Sequence, residues 1–134
     1  MTPTQRSIKW LKDRGFHYGS TQQFVKTARG GGFRKDLYGA MDGMGVLHWE
    51  GQRRGAAGCI IGLQFCSAST YAEHEEKILK LIRTPEHPMH SWVHWADMLI
   101  LAWRYGGPRG ERKKWICNSY LYSLPEDEFI RIEM

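Results

Sequence analysis

Asp36, Asp42 and Gln64 are the side chains whose types and spacing most invite chemistry. Gln64 interrupts CIIGLQFCS, Cys59–Ser67, a run otherwise suited to a buried strand, and an amide in such a run needs a partner. The stretch before it, DLYGAMDGMGVLHW from Asp36 to Trp49, reads as a long strand, with EGQRRGAAG as the loop of a β-hairpin. In a hairpin centred near Arg53 and Arg54, residues whose numbers sum to about 106–108 lie opposite each other. That sets Asp42 across from Gln64 or one step away. Strand alternation puts Asp36, Ala40 and Asp42 on one face if no bulge intervenes, and Gln64 and Cys66 together on one face. A carboxylate and an amide oxygen are hard donors that suit Mg²⁺ or Mn²⁺. The same residues have a purely structural reading, with Asp36 closing a turn and Gln64 hydrogen-bonding Asp42 or a backbone group.

The elements that must position them follow from periodicity and stop signals. Thr4 followed by QRSIKWLKDRG reads as a capped helix with Ile8 and Leu11 on its apolar stripe, stopped by Gly15. Phe16–Tyr18 suggests a short edge strand, and ARGGGF, Ala28–Phe33, a mobile basic loop. After the hairpin, Thr70 and Glu73 form a capping box that opens the helix YAEHEEKILKLIR, whose apolar face is Tyr71, Ile78, Leu81 and Ile82. His87–Trp95 predicts a short helix with Pro88 in its first turn. DMLILAWRY is apolar throughout and predicts a central strand covered on both faces. Gly106, Gly107 and Pro108 turn the chain into a last long strand, KKWICNSYLYSL, before the acidic tail PEDEFIRIEM, a loop or short strand. The order α-β-β-β-α-α-β-β predicts one α/β domain over residues 1–134, a central mixed sheet of about five strands flanked by helices.

With 134 residues, 42% of them hydrophobic, the chain is long enough to build a core of its own. The longest apolar run, Met98–Trp103, is too short to span a bilayer, and MTPTQRSIKW lacks the apolar centre of a signal peptide. The three cysteines, Cys59, Cys66 and Cys117, have no CxxC spacing and read as reduced thiols, so a cytoplasmic protein is expected. Net charge is +5, and its placement suggests a polyanion: Arg29, Arg34 and Lys35 border the glycine run, and Arg104, Arg109, Arg112, Lys113 and Lys114 cluster late. Trp103 and Trp115 bracket that cluster and are read as core or rim aromatics before base-stacking platforms.

Taken in order, RKDLYGAMD, GCIIGLQFCS and EHEEKI, closed by ERKKWICNSYLY, resemble the PD-(D/E)XK nuclease superfamily. The likeness is greatest to its small phage and prophage members similar to Holliday junction resolvases. It covers about Arg6 to Tyr122. In that superfamily a helix precedes a hairpin whose first strand carries a metal-binding Asp and whose second carries a (D/E)-x-K triplet, with a helix packed behind. The resemblance implies a restriction-endonuclease-like fold and a Mg²⁺- or Mn²⁺-dependent DNA endonuclease, possible as a homodimer, in a bacterial or phage-infected cell.

Carried over by position, Asp42 resembles the metal-binding aspartate, Asp36 a second ligand, and Gln64 the acid of the triplet. Cys66 stands where the lysine belongs, and a thiol supplies no ammonium. The superfamily is known to move that lysine to the following helix, where Lys77 is the natural substitute and His74 a nearer donor. Gln22 and Gln23 occupy the neighbourhood where the superfamily often adds an acid or amide. Arg34, Lys35, Arg53, Arg54, Arg109, Arg112, Lys113 and Lys114 would contact DNA phosphates. The departures at Gln64 and Cys66 equally fit a relative that kept the fold and lost catalysis, binding DNA or a protein.

Other patterns rank lower. His87, His90 and His94 have helical spacing but no fourth zinc ligand, RGGGF lacks the Lys-Ser/Thr of a P-loop, and Cys66 with His74 lacks an orienting third group.

Overall fold

Thr2 starts the first helix. Its hydroxyl accepts from the Gln5 amide at 3.2 Å while the Gln5 side chain accepts from the Thr2 N–H at 2.9 Å, a reciprocal cap with Pro3 at the first helical position. The computed structural model describes residues 1–47 and 60–133. Helix α1, Pro3–Asp13, buries Ser7 and Leu11, leaves Ile8 half-buried, and ends before Gly15, whose φ of 85° only glycine takes without strain.

Six strands form the main sheet: β1 (Phe16–Ser20), β4 (Gly43–Leu47), β5 (Ile60–Ser67), β6 (Asp97–Gly106), β7 (Lys114–Ser123) and β8 (Glu128–Ile132), in the order β1-β4-β5-β6-β7-β8. Two further strands, β2 (Gln23–Lys26) and β3 (Gly32–Lys35), pair as a separate antiparallel ribbon. Every neighbouring pair of the main sheet is antiparallel except β5 and β6. Those two are joined by a helical crossover, as a parallel connection requires. It consists of α2, Tyr71–Ile82, and α3, Pro88–Trp95, which begins at His87. The mixed α/β architecture expected from the sequence is therefore present, with the acidic tail supplying a sixth strand.

Alternation along β5 and β6 sorts the core into two layers. Ile61, Leu63, Phe65, Leu99 and Leu101 face α1 and pack with Leu11, Phe16 and Leu121. Cys66, Met98, Ile100 and Ala102 face the other way and pack with Ile78, Ile82 and Met89 of the two later helices. Met98–Trp103 is buried throughout, which accounts for the unbroken apolar run of the central strand. Gln64 belongs to the layer under α2, among apolar neighbours.

Four expectations need correction. The first helix is capped by Thr2, not Thr4, which lies inside its first turn. Asp36–Trp49 is not one strand: β3 ends at Lys35, and the chain turns on itself with Leu37 and Met41 bridged and the Ala40 amide donating to the Leu37 carbonyl at 3.1 Å. Tyr38 and Gly39 both take positive φ there, 55° and 70°, as a mirror-image tight turn demands. Ala28–Phe33 is not loop throughout: Thr27 and Gly31 close a hydrogen-bonded turn at 2.7 Å, and the chain re-enters a strand at Gly32. Thr70 does not cap α2 through its side chain. A 3₁₀ turn over Ala68–Thr70 precedes the helix, and the Thr70 hydroxyl lies 3.2 Å from the Ser67 carbonyl, so it is spent on the preceding turn.

Candidate functional site

The hairpin register is as the sequence arithmetic requires. Gly43 pairs with Leu63, so Asp42, one residue ahead of β4, stands opposite Gln64. The Asp42 backbone N–H donates to the Leu63 carbonyl at 2.7 Å, which continues the ladder by one rung. Gly43 is glycine because a Cβ would lie 2.3 Å from the Tyr18 ring and 2.8 Å from the Gly19 carbonyl. Strand β1 thus closes over the backbone beside the acid.

Asp42 is only 8% exposed and accepts three hydrogen bonds. Its Oδ2 takes the Phe65 backbone N–H at 2.8 Å and the Gln64 Nε2 at 2.9 Å; its Oδ1 takes the Gln22 Nε2 at 3.0 Å. Gln22 Nε2 also donates to Asp36 Oδ1 at 3.0 Å, so one amide bridges two carboxyl groups. Asp36 reaches Asp42 because the chain reverses over Leu37–Met41, not through strand alternation. Of the two glutamines expected in that neighbourhood, Gln22 is joined to the acids, and the Gln23 side chain lies outside the described residues. No local periodicity marks it, since its position depends on how β1 hands over to the ribbon.

Electrostatically the pair is costly. Burial raises the Asp42 carboxyl to about 7, and the adjacent Asp36 charge adds to that, against the lowering effect of the Phe65 N–H and the Gln22 amide. An Asp42 carboxyl held at about 7 still carries its proton in part of the molecules at neutral pH. Two carboxylates are hard oxygen donors, and a divalent cation that takes one or two of them and keeps its waters fits this set. The amides face the acids with their N–H groups, so Gln22 and Gln64 hold the carboxylates and offer them no oxygen in this arrangement. Among the described residues no group of three His, Cys, Asp or Glu side chains converges.

Beside the acids opens a cleft of about 500 Å³ lined by Thr21, Lys35, Asp36, Lys77, Leu81 and His87, among others. Lys77 thus shares a cleft with Asp36. His74 lies one turn earlier on α2, half-buried, and is not in the cleft lining. Cys66 is 5% exposed beneath α2, and burial together with the Asp42 charge pushes its thiol up to about 11, so it stays neutral at physiological pH.

The cationic residues fall into two groups. Arg34 and Lys35 are exposed on β3 next to the acids. Arg109, Arg112 and Lys113 follow β6, and Lys114 opens β7, all exposed. Gln64 is level with Ile100, and β6 runs on to Gly106, so this second group begins roughly 20 Å further along the sheet. Arg53 and Arg54 lie outside the described residues. Trp103 is a core residue, 8% exposed, its indole N–H donating to Ser7 Oγ at 2.9 Å, which removes it as a stacking platform. Trp115 is half exposed, and the Arg6 guanidinium lies 3.6 Å over its ring. The three helix-spaced histidines are engaged separately: His87 Nδ1 accepts the Met89 N–H at 3.1 Å, His90 Nδ1 lies 2.8 Å from the Ile82 carbonyl, and His94 rests edge-on against His90.

Comparison of the chain with protein-family models, with curated proteins and with solved structures finds no match. Among the described residues no helix is long and apolar enough to cross a membrane.

Proposed function

We propose that the protein is a divalent-metal-dependent DNA endonuclease of the PD-(D/E)XK type, hydrolysing phosphodiester bonds in branched or otherwise structured DNA. The observation that carries this reading is the carboxylate pair Asp36–Asp42, bridged by Gln22, of which Asp36 lines an open cleft together with Lys35 and Lys77 while Asp42 lies buried behind it. Asp36 and Asp42 would hold Mg²⁺ or Mn²⁺, which when bound supplies Lewis acidity and an activated water.

The chain's own residues account for the remaining requirements. Gln22, Gln64 and the Phe65 N–H fix the carboxylates, so no reorganisation is needed when a phosphate arrives. Lys77 replaces the missing triplet lysine and neutralises charge that develops on the phosphate, while the neutral Cys66 thiol takes no part. Lys35 and Arg34 draw the backbone toward the cleft, and the Arg109–Lys114 group grips phosphates further along, giving salt-sensitive binding with little sequence preference. Cutting both strands symmetrically would call for two copies of the chain. The reading places the protein in the cytoplasm of a bacterial or phage-infected cell.

The test is nicking of supercoiled and four-way-junction DNA with Mg²⁺ or Mn²⁺, comparing the wild type with Asp42→Asn. Cleavage that falls to background in the variant is expected; no cleavage by the wild type, or cleavage untouched by the substitution, overturns the proposal. A second reading, a non-catalytic DNA-binding relative, is favoured by one feature: the triplet positions hold an amide that turns its N–H₂ toward Asp42 and a buried thiol. Salt-sensitive DNA binding without cleavage under either metal is its signature.

A further inference from the structure

The β2–β3 ribbon has a composition unlike the rest of the chain. From Gln23 to Lys35 it carries Lys26, Arg29, Arg34 and Lys35 and no acidic residue. Its register sets Phe24 directly opposite Arg34 and Lys26 opposite Gly32, so these four share one face. Phe24 is 60% exposed, an unusual state for a phenylalanine. Its ring lies over Gly32, where a Cβ would come within 2.4 Å of the ring edge, and the glycine thereby leaves room for the ring to lie close to the ribbon. Ser20, Gln22, Phe24 and Arg34 together line a hollow of about 280 Å³. Gln22 is the residue that bridges Asp36 and Asp42, so the hollow adjoins the acid pair through one shared side chain.

An aromatic face, a guanidinium and small polar groups in one hollow match the parts of a nucleotide: base, phosphate and sugar. Stacking on an aromatic ring requires a base freed from its neighbours, which a fully paired duplex does not offer. We propose that the ribbon face bearing Phe24 and Arg34 is a subsite for one unpaired nucleotide adjacent to the acid pair. Phe24 stacks on the base and Arg34 takes the phosphate. This deepens, and rests on, the reading of the acid pair as a phosphodiesterase centre. It gives structure selectivity a physical source, because a branch or gap supplies the unstacked base.

The experiment measures binding by fluorescence anisotropy in EDTA, with a short oligo-dT strand, a gapped duplex and a fully paired duplex. Phe24→Ala is expected to weaken binding of the strand and the gapped duplex about tenfold while leaving the paired duplex within about twofold. Phe24→Leu keeps apolar bulk over Gly32 without an aromatic face and should behave like Phe24→Ala, whereas Phe24→Trp should retain wild-type binding. Arg34→Gln is expected to weaken all three probes and to lower the salt slope by about one. Unchanged binding of the single strand by Phe24→Ala, an equal loss on all three probes, or wild-type behaviour of Phe24→Leu overturns the subsite. Because the metal is chelated, these readouts do not depend on hydrolysis. A protein that binds as expected yet cuts nothing with Mg²⁺ keeps the subsite and loses the phosphodiesterase reading.

Discussion

Asp42→Asn should stabilise the protein above neutral pH, and the gain should vanish in acid. A carboxyl held at about 7 in the folded chain, against 3.8 ordinarily, keeps its proton where the unfolded chain has released it. Between about pH 4 and pH 7 the folded state therefore binds more protons than the unfolded state, and stability falls as pH rises through that window. Each pH step of one corresponds to about 1.4 kcal/mol, so the full penalty above pH 7 would approach about 4 kcal/mol. The adjoining cleft admits water, which screens the penalty and brings the working figure to about 2–4 kcal/mol. The asparagine is uncharged like the protonated acid: its oxygen accepts from the Phe65 N–H and Gln64, and its amide takes the place of the Oδ1 that accepts from Gln22, so Gln22 must turn its own oxygen toward it.

The assay is urea or thermal unfolding of both proteins from about pH 4 to pH 8, read as the difference between them. At about 2–4 °C per kcal/mol, the variant should melt roughly 4–16 °C higher at pH 8 and level with the wild type near pH 4. Adding Mg²⁺ at about one hundred times its dissociation constant should stabilise the wild type by about 2.7 kcal/mol at pH 8, because the ion relieves the same repulsion. The variant should gain little. A variant less stable than the wild type at pH 8, or a difference that does not change with pH, would refute the account of a frustrated carboxylate pair.

Lys77→Ala should depress cleavage by about 100-fold or more while shifting Tm by less than about 2 °C, since the side chain is exposed on α2; equal activity would return the neutralising role to another group. Cys66→Ala should leave cleavage within a few-fold of wild type, as a thiol raised to about 11 is neither nucleophile nor metal ligand at pH 8; loss of activity with an unchanged melting curve would restore it to the chemistry. Ser7→Ala should cost about 1–3 kcal/mol in urea unfolding, because it strips the Ser7 Oγ acceptor from the buried Trp103 indole N–H.

The parts of this fold that were legible in the sequence are those set by a repeating physical rule. Met98–Trp103 announced a central strand because a strand covered on both faces has no polar side, and Ile78 and Ile82 announced the buried face of α2 by their spacing. Asp42 and Gln64 could be paired on paper because antiparallel register is additive across a hairpin. What escaped depends on single residues taking uncommon backbone states or on distant segments meeting. Tyr38 at φ 55° breaks what reads as one long strand, and tyrosine carries no signal for that conformation. The β2–β3 ribbon did leave a trace, two apolar-basic segments flanking a glycine-rich turn, yet its arginines and glycines read equally well as a loop. Gln22 was marked only by the family resemblance, together with Gln23, since no local pattern sets an amide that bridges two acids and the path of the chain around it decides.

The amide at position 64 then has a physical rationale that does not depend on activity. Asp42 is already raised to about 7 by burial and by Asp36, so a third carboxylate opposite it would add a like charge inside the same apolar layer. That charge would be compensated only while a cation was bound, and the metal-free chain would bear its cost. Glutamine occupies the same volume, gives Asp42 a donor at 2.9 Å, and leaves the pair one charge poorer. Under the proposed metal-dependent reading, the affinity for a divalent ion would rest on two acids and be correspondingly modest. Cys66 fits the same logic. A lysine ammonium under α2 would have to be buried among Ile78, Ile100 and Ala102, whereas Lys77 lines the cleft from an exposed helix position where its ammonium stays hydrated.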